Sequence, residues 1–143
     1  MAWPILTVLV FQPLIGALFV CLVRGETTLV ATNARAVGLW STGISLAISC
    51  FLWVQFDRSV GDFQFLEQKD WIPSLGISYS MGIDGISIIF IILTSFLTFI
   101  CILASWESIA DRVREYMVAF LIMESMMLGS FCALDTVLFY IFF

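Results

Sequence analysis

The run YMVAFLIMESMMLGSFCAL, from Tyr116 to Leu134, holds a single charged side chain, Glu124, in 19 residues. As a helix rising 1.5 Å per residue it would measure about 29 Å, close to the roughly 30 Å hydrocarbon thickness of a bilayer. Three further stretches have the same character: Trp3 to Val23, Ala36 to Phe56 and Gly85 to Ala104, with 21, 21 and 20 residues. A fifth opens at Thr136 and reaches Phe143 after 8 residues, about 12 Å of helix and too short to span. The reading is an all-α, polytopic transmembrane helix bundle of four full spans plus a truncated fifth. The first stretch is read as a retained helix, because no positive charge precedes it and its length exceeds a signal peptide's apolar core.

Composition supports this. The chain is 62% hydrophobic and 12% charged, with a mean hydropathy of +1.08. Soluble domains are about a quarter charged, so this chain cannot coat a water-facing surface. Six basic against 11 acidic residues give a net charge of −5, which excludes nucleic acid as a partner. There is no His. Cys21, Cys50, Cys101 and Cys132 lie far apart inside apolar runs, which reads as apolar thiols rather than a metal or redox motif.

Between the second and third spans, Phe63 and Phe65 alternate with Asp62 and Gln64, and Ile77, Tyr79 and Met81 alternate with Ser78 and Ser80. Trp71-Ile72-Pro73-Ser74-Leu75-Gly76 lies between them. Period-two segments around a Pro/Gly turn predict a β-hairpin, with its aromatic side on the membrane surface or a neighbouring protein. Trp53 and Trp71 suit an interfacial belt. Arg24 and Arg35 in one link, and Arg112 and Arg114 in another, place those links on the cytoplasmic side. The N-terminus and the hairpin are then outside.

Glu124 is the candidate functional residue. A carboxylate at mid-bilayer costs a few kcal/mol even on lenient scales, so it must face protein or trapped water. Its chemistry fits a proton relay; the plainer alternative is a neutral acid making one interhelical hydrogen bond. Asp84 and Asp135 each precede an apolar run and read as helix caps. Glu115 suits the start of its helix, and Glu107, Asp111, Arg112 and Arg114 read as a solvated interfacial face. Gln12 and Pro13 interrupt the first span; Pro13 predicts a kink and Gln12 calls for a protein partner. Ser41, Ser45 and Ser49, and again Ser125, Gly129 and Ala133, form small-residue stripes of the kind that let helices approach.

Trp71-Ile72-Pro73, Met81-Gly82-Ile83-Asp84-Gly85-Ile86-Ser87, Glu115-Tyr116, Phe131-Cys132-Ala133-Leu134-Asp135 and Phe139-Tyr140-Ile141-Phe142-Phe143 together resemble the N-terminal part of an antiporter-like subunit of respiratory complex I (NADH:quinone oxidoreductase), of the subunit M type. The resemblance runs from Phe63 onward, and the Met81–Ser87 run is its most specific element. It implies that residues 1–143 form a single membrane domain, the N-terminal fragment of a larger subunit. It implies proton translocation driven by quinone reduction elsewhere in the complex, with other membrane subunits, including neighbouring antiporter-like ones, as partners. NADH, FMN, iron–sulfur clusters and quinone are then expected in those partners, with no cofactor in this chain. The setting would be the bacterial inner membrane or the mitochondrial inner membrane. The family's principal intramembrane glutamate follows the aromatic run that closes this sequence, and its lysine partners lie in later helices. Glu124 is therefore expected to be an accessory relay. The alternatives are a subunit of a multisubunit cation/proton antiporter or membrane-bound hydrogenase, or a membrane scaffold without transport activity.

Overall fold

The computed structural model describes residues 4–143, so Trp3, the first residue of the first predicted span, lies outside the described residues. Its elements are α1 (Ile5–Leu22), α2 (Thr27–Gln55), β1 (Gln64–Ile72), β2 (Ile77–Ile83), α3 (Ser87–Ala104), α4 (Val113–Cys132) and α5 (Thr136–Phe142). The first four helices are each long and apolar enough to cross a membrane. The chain is a multi-pass membrane protein. Lipid cannot satisfy backbone polar groups, which forces the spans to be helical.

α1 packs most extensively against α4, and α2 against α3. Outward faces stay apolar, including Leu18, Phe19, Trp40, Leu93 and Leu97. Three of the four thiols, Cys21, Cys50 and Cys101, sit on those exposed faces, and only Cys132 is buried. An exposed apolar thiol is at home against lipid, so burial in protein is unnecessary.

The start of α2 differs most from the sequence reading. α2 begins at Thr27 rather than Ala36. Hydropathy marks where a helix enters lipid, not where it starts, and these first two turns extend beyond the apolar part of the span. Arg35 is thus helical rather than in a link, and its Nη2 donates to the Ile109 carbonyl at 2.7 Å. That bond ties α2 to the segment between α3 and α4. α1 also runs unbroken through Pro13, which is buried within it.

The hairpin pairs β1 and β2 antiparallel, with Glu67 opposite Met81 and Lys69 opposite Tyr79. Pro73–Leu75 forms a 3₁₀ turn, closed by Gly76 at φ 66°, a left-handed conformation that glycine adopts without a Cβ clash. A register shift between Gln64 and Glu67 places Phe65 at φ 54°. Such bulges re-aim side chains, and Phe65 turns onto the core. The hairpin's apolar side meets the chain's own helices. Met81 and Ile83 are fully buried, and Tyr79 packs beside them. The alternation predicted contact with membrane or a neighbour; it could not show that α1, α4 and α5 end directly beneath. Ser80, expected to face water, is buried, and its carbonyl accepts from Leu134 N at 2.9 Å.

Candidate functional site

The bundle's interior is layered. One hydrophobic cluster, at the hairpin end, includes Leu6, Leu9, Val10, Leu52, Ile88, Ile91, Leu128 and Leu138. A second, at the opposite end, includes Ala17, Val20, Ala34, Ile102, Met117 and Leu121. In every spanning helix, inward-facing polar residues lie between these clusters. They are Gln12 in α1, Ser41, Thr42, Ser45 and Ser49 in α2, Thr94, Ser95 and Thr98 in α3, and Glu124 and Ser125 in α4. All but Gln12 are buried.

Most members of this layer are satisfied. Thr42 donates to the Gly38 carbonyl at 3.1 Å, Thr98 to Thr94 at 2.8 Å and Ser95 to Ile91 at 3.1 Å. Ser49 and Ser95 share a hydroxyl–hydroxyl bond of 2.8 Å that joins α2 to α3. Ser125 Oγ donates to the Val10 carbonyl at 2.6 Å, joining α4 to α1. Gln12 finds the partners its sequence position called for: its Nε2 donates to Ser41 Oγ at 3.1 Å, and its Oε1 accepts from Ser45 Oγ at 2.7 Å.

Glu124 is different. It is 0% exposed, yet neither carboxyl oxygen makes a hydrogen bond within the described residues. Ser45 stands on α2, which packs against α4, and its hydroxyl bonds Gln12 rather than Glu124. Buried carboxyls are normally paired or hydrogen-bonded, so an unpaired one calls for an explanation. The sequence predicted Glu124 from its position alone. It did not show that α1 and α2 would bring Gln12 and Ser45 to the same depth. No cluster of three metal-ligating side chains occurs among the described residues.

The caps behave as read. Asp84 Oδ1 accepts from Ser87 N at 2.7 Å and Ile86 N at 3.2 Å, and the Ser87 bond foremost holds its carboxyl below the ordinary value. Asp135 Oδ1 accepts from Val137 N at 2.8 Å, chiefly the bond that lowers its pKa. Its other oxygen accepts from Ser78 N at 3.3 Å, which pins β2 to the start of α5. Glu115 pairs with Arg112 three residues before it, both well exposed.

One contact had no signal in the sequence. α1 begins after Pro4, which offers no capping side chain. Glu67 of β1 supplies the cap from 60 residues away: it accepts from Leu6 N at 2.7 Å, Thr7 N at 3.1 Å and Thr7 Oγ1 at 2.5 Å. Thr7 Oγ1 also bonds the Tyr79 hydroxyl at 2.8 Å. Burial pushes the Tyr79 phenol above its ordinary value, against the effect of that bond.

Comparison with known proteins fits these features. Residues 27–134 match the family described as NADH-ubiquinone oxidoreductase chain 4, amino terminus, so the likeness begins well before Phe63. The chain is 39% identical over 135 residues to NADH-ubiquinone oxidoreductase chain 4 of Marchantia polymorpha, covering 94% of this chain and 27% of that protein. It is 41% identical over 140 residues to NADH-quinone oxidoreductase subunit M of Rhodobacter capsulatus, covering 97% of this chain and 27% of that one. The fold matches a chain of respiratory complex I from Thermus thermophilus with bound NADH, at TM-score 0.75 and 24% identity, over 96% of this chain and 26% of that chain. The chain thus spans about a quarter of the length of these relatives. With most of its length matched, it belongs to the NADH-ubiquinone oxidoreductase chain 4 family, through that family's amino-terminal region.

Proposed function

We propose that this chain is the N-terminal part of a proton-translocating membrane subunit of NADH:quinone oxidoreductase, with Glu124 as an accessory proton relay. The observation that carries this is the Glu124 carboxyl, wholly buried in the polar layer with neither oxygen hydrogen-bonded. Among the described residues no hydrogen bond locks that group into one protonation state. The apolar clusters on either side keep the exchange confined to the layer.

In this reading residues 1–143 are one membrane domain. The principal channel carboxylate and lysines, and the redox centres for NADH, flavin, iron–sulfur clusters and quinone, belong to the remainder of the subunit and to its partners. The partners are other membrane subunits of the complex, neighbouring antiporter-like ones included. The setting is the inner membrane of a bacterium or a mitochondrion. The end carrying Arg24, Arg112 and Arg114 faces the cytoplasmic side, the placement that the basic-residue bias favours. The hairpin faces the opposite side.

The test is Glu124→Gln in the full-length subunit, assembled in its complex and reconstituted in liposomes. NADH-driven quinone reduction and proton uptake are then measured together. The expected result is a several-fold loss of pumping or of coupled turnover; wild-type pumping would refute the relay. Co-purifying NADH dehydrogenase activity and flavin separate this reading from a cation/proton antiporter or a membrane-bound hydrogenase.

A further inference from the structure

We propose that Gln12 is a positioning residue for Glu124, acting through Ser45, and that it links the acid to the groove between α1 and α2. This inference rests on the relay reading of Glu124 and goes one step further.

Depth comes first. Gln12 lies seven residues from the start of α1, Ser45 ten from the end of α2 and Glu124 eight from the end of α4. At 1.5 Å per residue these are about 10, 15 and 12 Å below the hairpin end, so the three residues lie within about one helical turn of one another in depth. Proton accounting follows. Ser45 has one hydroxyl proton; its shortest bond is to Gln12 Oε1 at 2.7 Å, with the Ser41 carbonyl of its own helix a longer acceptor at 3.3 Å. Its lone pairs remain to accept from the O–H of a protonated Glu124. When Glu124 gives up that proton, its carboxylate becomes a stronger acceptor than an amide oxygen, and the Ser45 hydroxyl turns toward it. Gln12 Oε1 then loses its donor while its Nε2 keeps Ser41, at 3.1 Å. Ser45 therefore switches between two acceptors according to the protonation of Glu124, and Gln12 is the acceptor that holds it when the acid is neutral.

Gln12 also reaches the outside of the bundle. With Gly16, Phe19, Trp40, Ser41 and Ile44 it lines a groove of about 550 Å³ between α1 and α2. That groove is otherwise apolar, so Gln12 and Ser41 form its polar spot. The buried acid is one hydroxyl and one amide away from it.

The test uses the assembled complex in liposomes and two readouts: NADH-driven pumping, and the infrared C=O stretch of protonated Glu124, assigned by its disappearance in Glu124→Gln. In Gln12→Leu the band shifts and pumping falls by roughly threefold to tenfold, the loss expected for one hydrogen bond. Gln12→Asn restores part of both. Ser45→Ala removes one oxygen from the same interface and gives the same two changes, should Gln12→Leu fail to assemble. If Glu124→Gln lowers pumping while Gln12→Leu and Ser45→Ala leave band and pumping at wild type, this proposal is overturned and the relay stands. If Glu124→Gln itself pumps normally, the relay fails and the proposal with it.

Discussion

Glu67→Ala should loosen the start of α1 from the hairpin. Three donors converge on the Glu67 carboxyl: the amides of Leu6 and Thr7, and the Thr7 hydroxyl. Those amides occupy the second and third positions of the helix, where an N-cap residue normally supplies the acceptor. Losing the cap costs about 1 kcal/mol, losing a negative charge at the helix's positive end about 0.5, and losing the bond to the hydroxyl about 1. The sum is about 2.5 kcal/mol, which raises the local opening constant by roughly fiftyfold to a hundredfold. Hydrogen exchange in the assembled full-length complex reads this at residues 5–8 and in β1, where it appears as faster exchange, while α3 serves as the internal reference. Glu67→Gln keeps one acceptor oxygen and should lie between the two. Exchange at Leu6 and Thr7 within about threefold of wild type in Glu67→Ala would show that solvent caps α1 instead, and the reasoning would fail.

Other changes act on different contacts. A Cβ on Gly129 would lie 2.7 Å from Phe142 Cε1, so Gly129→Ala should displace α5 from α4, lowering stability by about 1–3 kcal/mol as read by thermal unfolding in detergent. Ser125→Ala frees the Val10 carbonyl and should cost about 1 kcal/mol by the same measurement. Asp135 has a folded pKa lowered from the ordinary 3.8, chiefly by the Val137 amide, so its stabilisation is complete above that value and fades as pH falls through the lower folded value. Asp135→Ala should therefore lower protection of the Ser78 and Val137 amides near neutral pH, and the difference from wild type should close in strong acid.

The spans were legible because lipid imposes a composition that no other environment does, and the hairpin was legible because β-strands impose a period of two. The start of α2 was not, since the turns before Ala36 are polar and hydropathy registers lipid contact rather than hydrogen bonding. Asp84 and Asp135 could be read because an N-cap lies beside the helix it serves. Glu67 could not, because its helix is 60 residues away and nothing near Pro4 or Glu67 records their meeting. The polar layer falls between these cases. Gln12 and Glu124 each looked anomalous alone and Ser45 read as part of a small-residue stripe; only the packing of α1 against α4 and of α2 against both makes them one layer.

That layer depends on the helices keeping their depth relative to one another. Helices in lipid have no hydrophobic driving force between them, so their register rests on packing and on hydrogen bonds such as that of Ser125 to the Val10 carbonyl. One turn of slip, about 5.4 Å, would carry Gln12 out of reach of Ser45. The hairpin opposes slip at three points: Glu67 holds the top of α1, the Ser80 carbonyl holds Leu134 just past α4, and Asp135 holds Ser78 to the start of α5. It therefore fixes α1 against α4 from outside the membrane, in the pair of helices whose register brings Gln12 and Glu124 to one level. This connects the exposed and buried parts of the molecule. Glu67→Ala, whose contacts at Leu6 and Thr7 lie about 9 Å from the acid in depth by helix rise, should still shift the Glu124 C=O band, in the direction Gln12→Leu does and by less. An unmoved band alongside accelerated exchange at Leu6 would mean that helix packing alone keeps the register, and that the hairpin serves only to seal the end of the bundle.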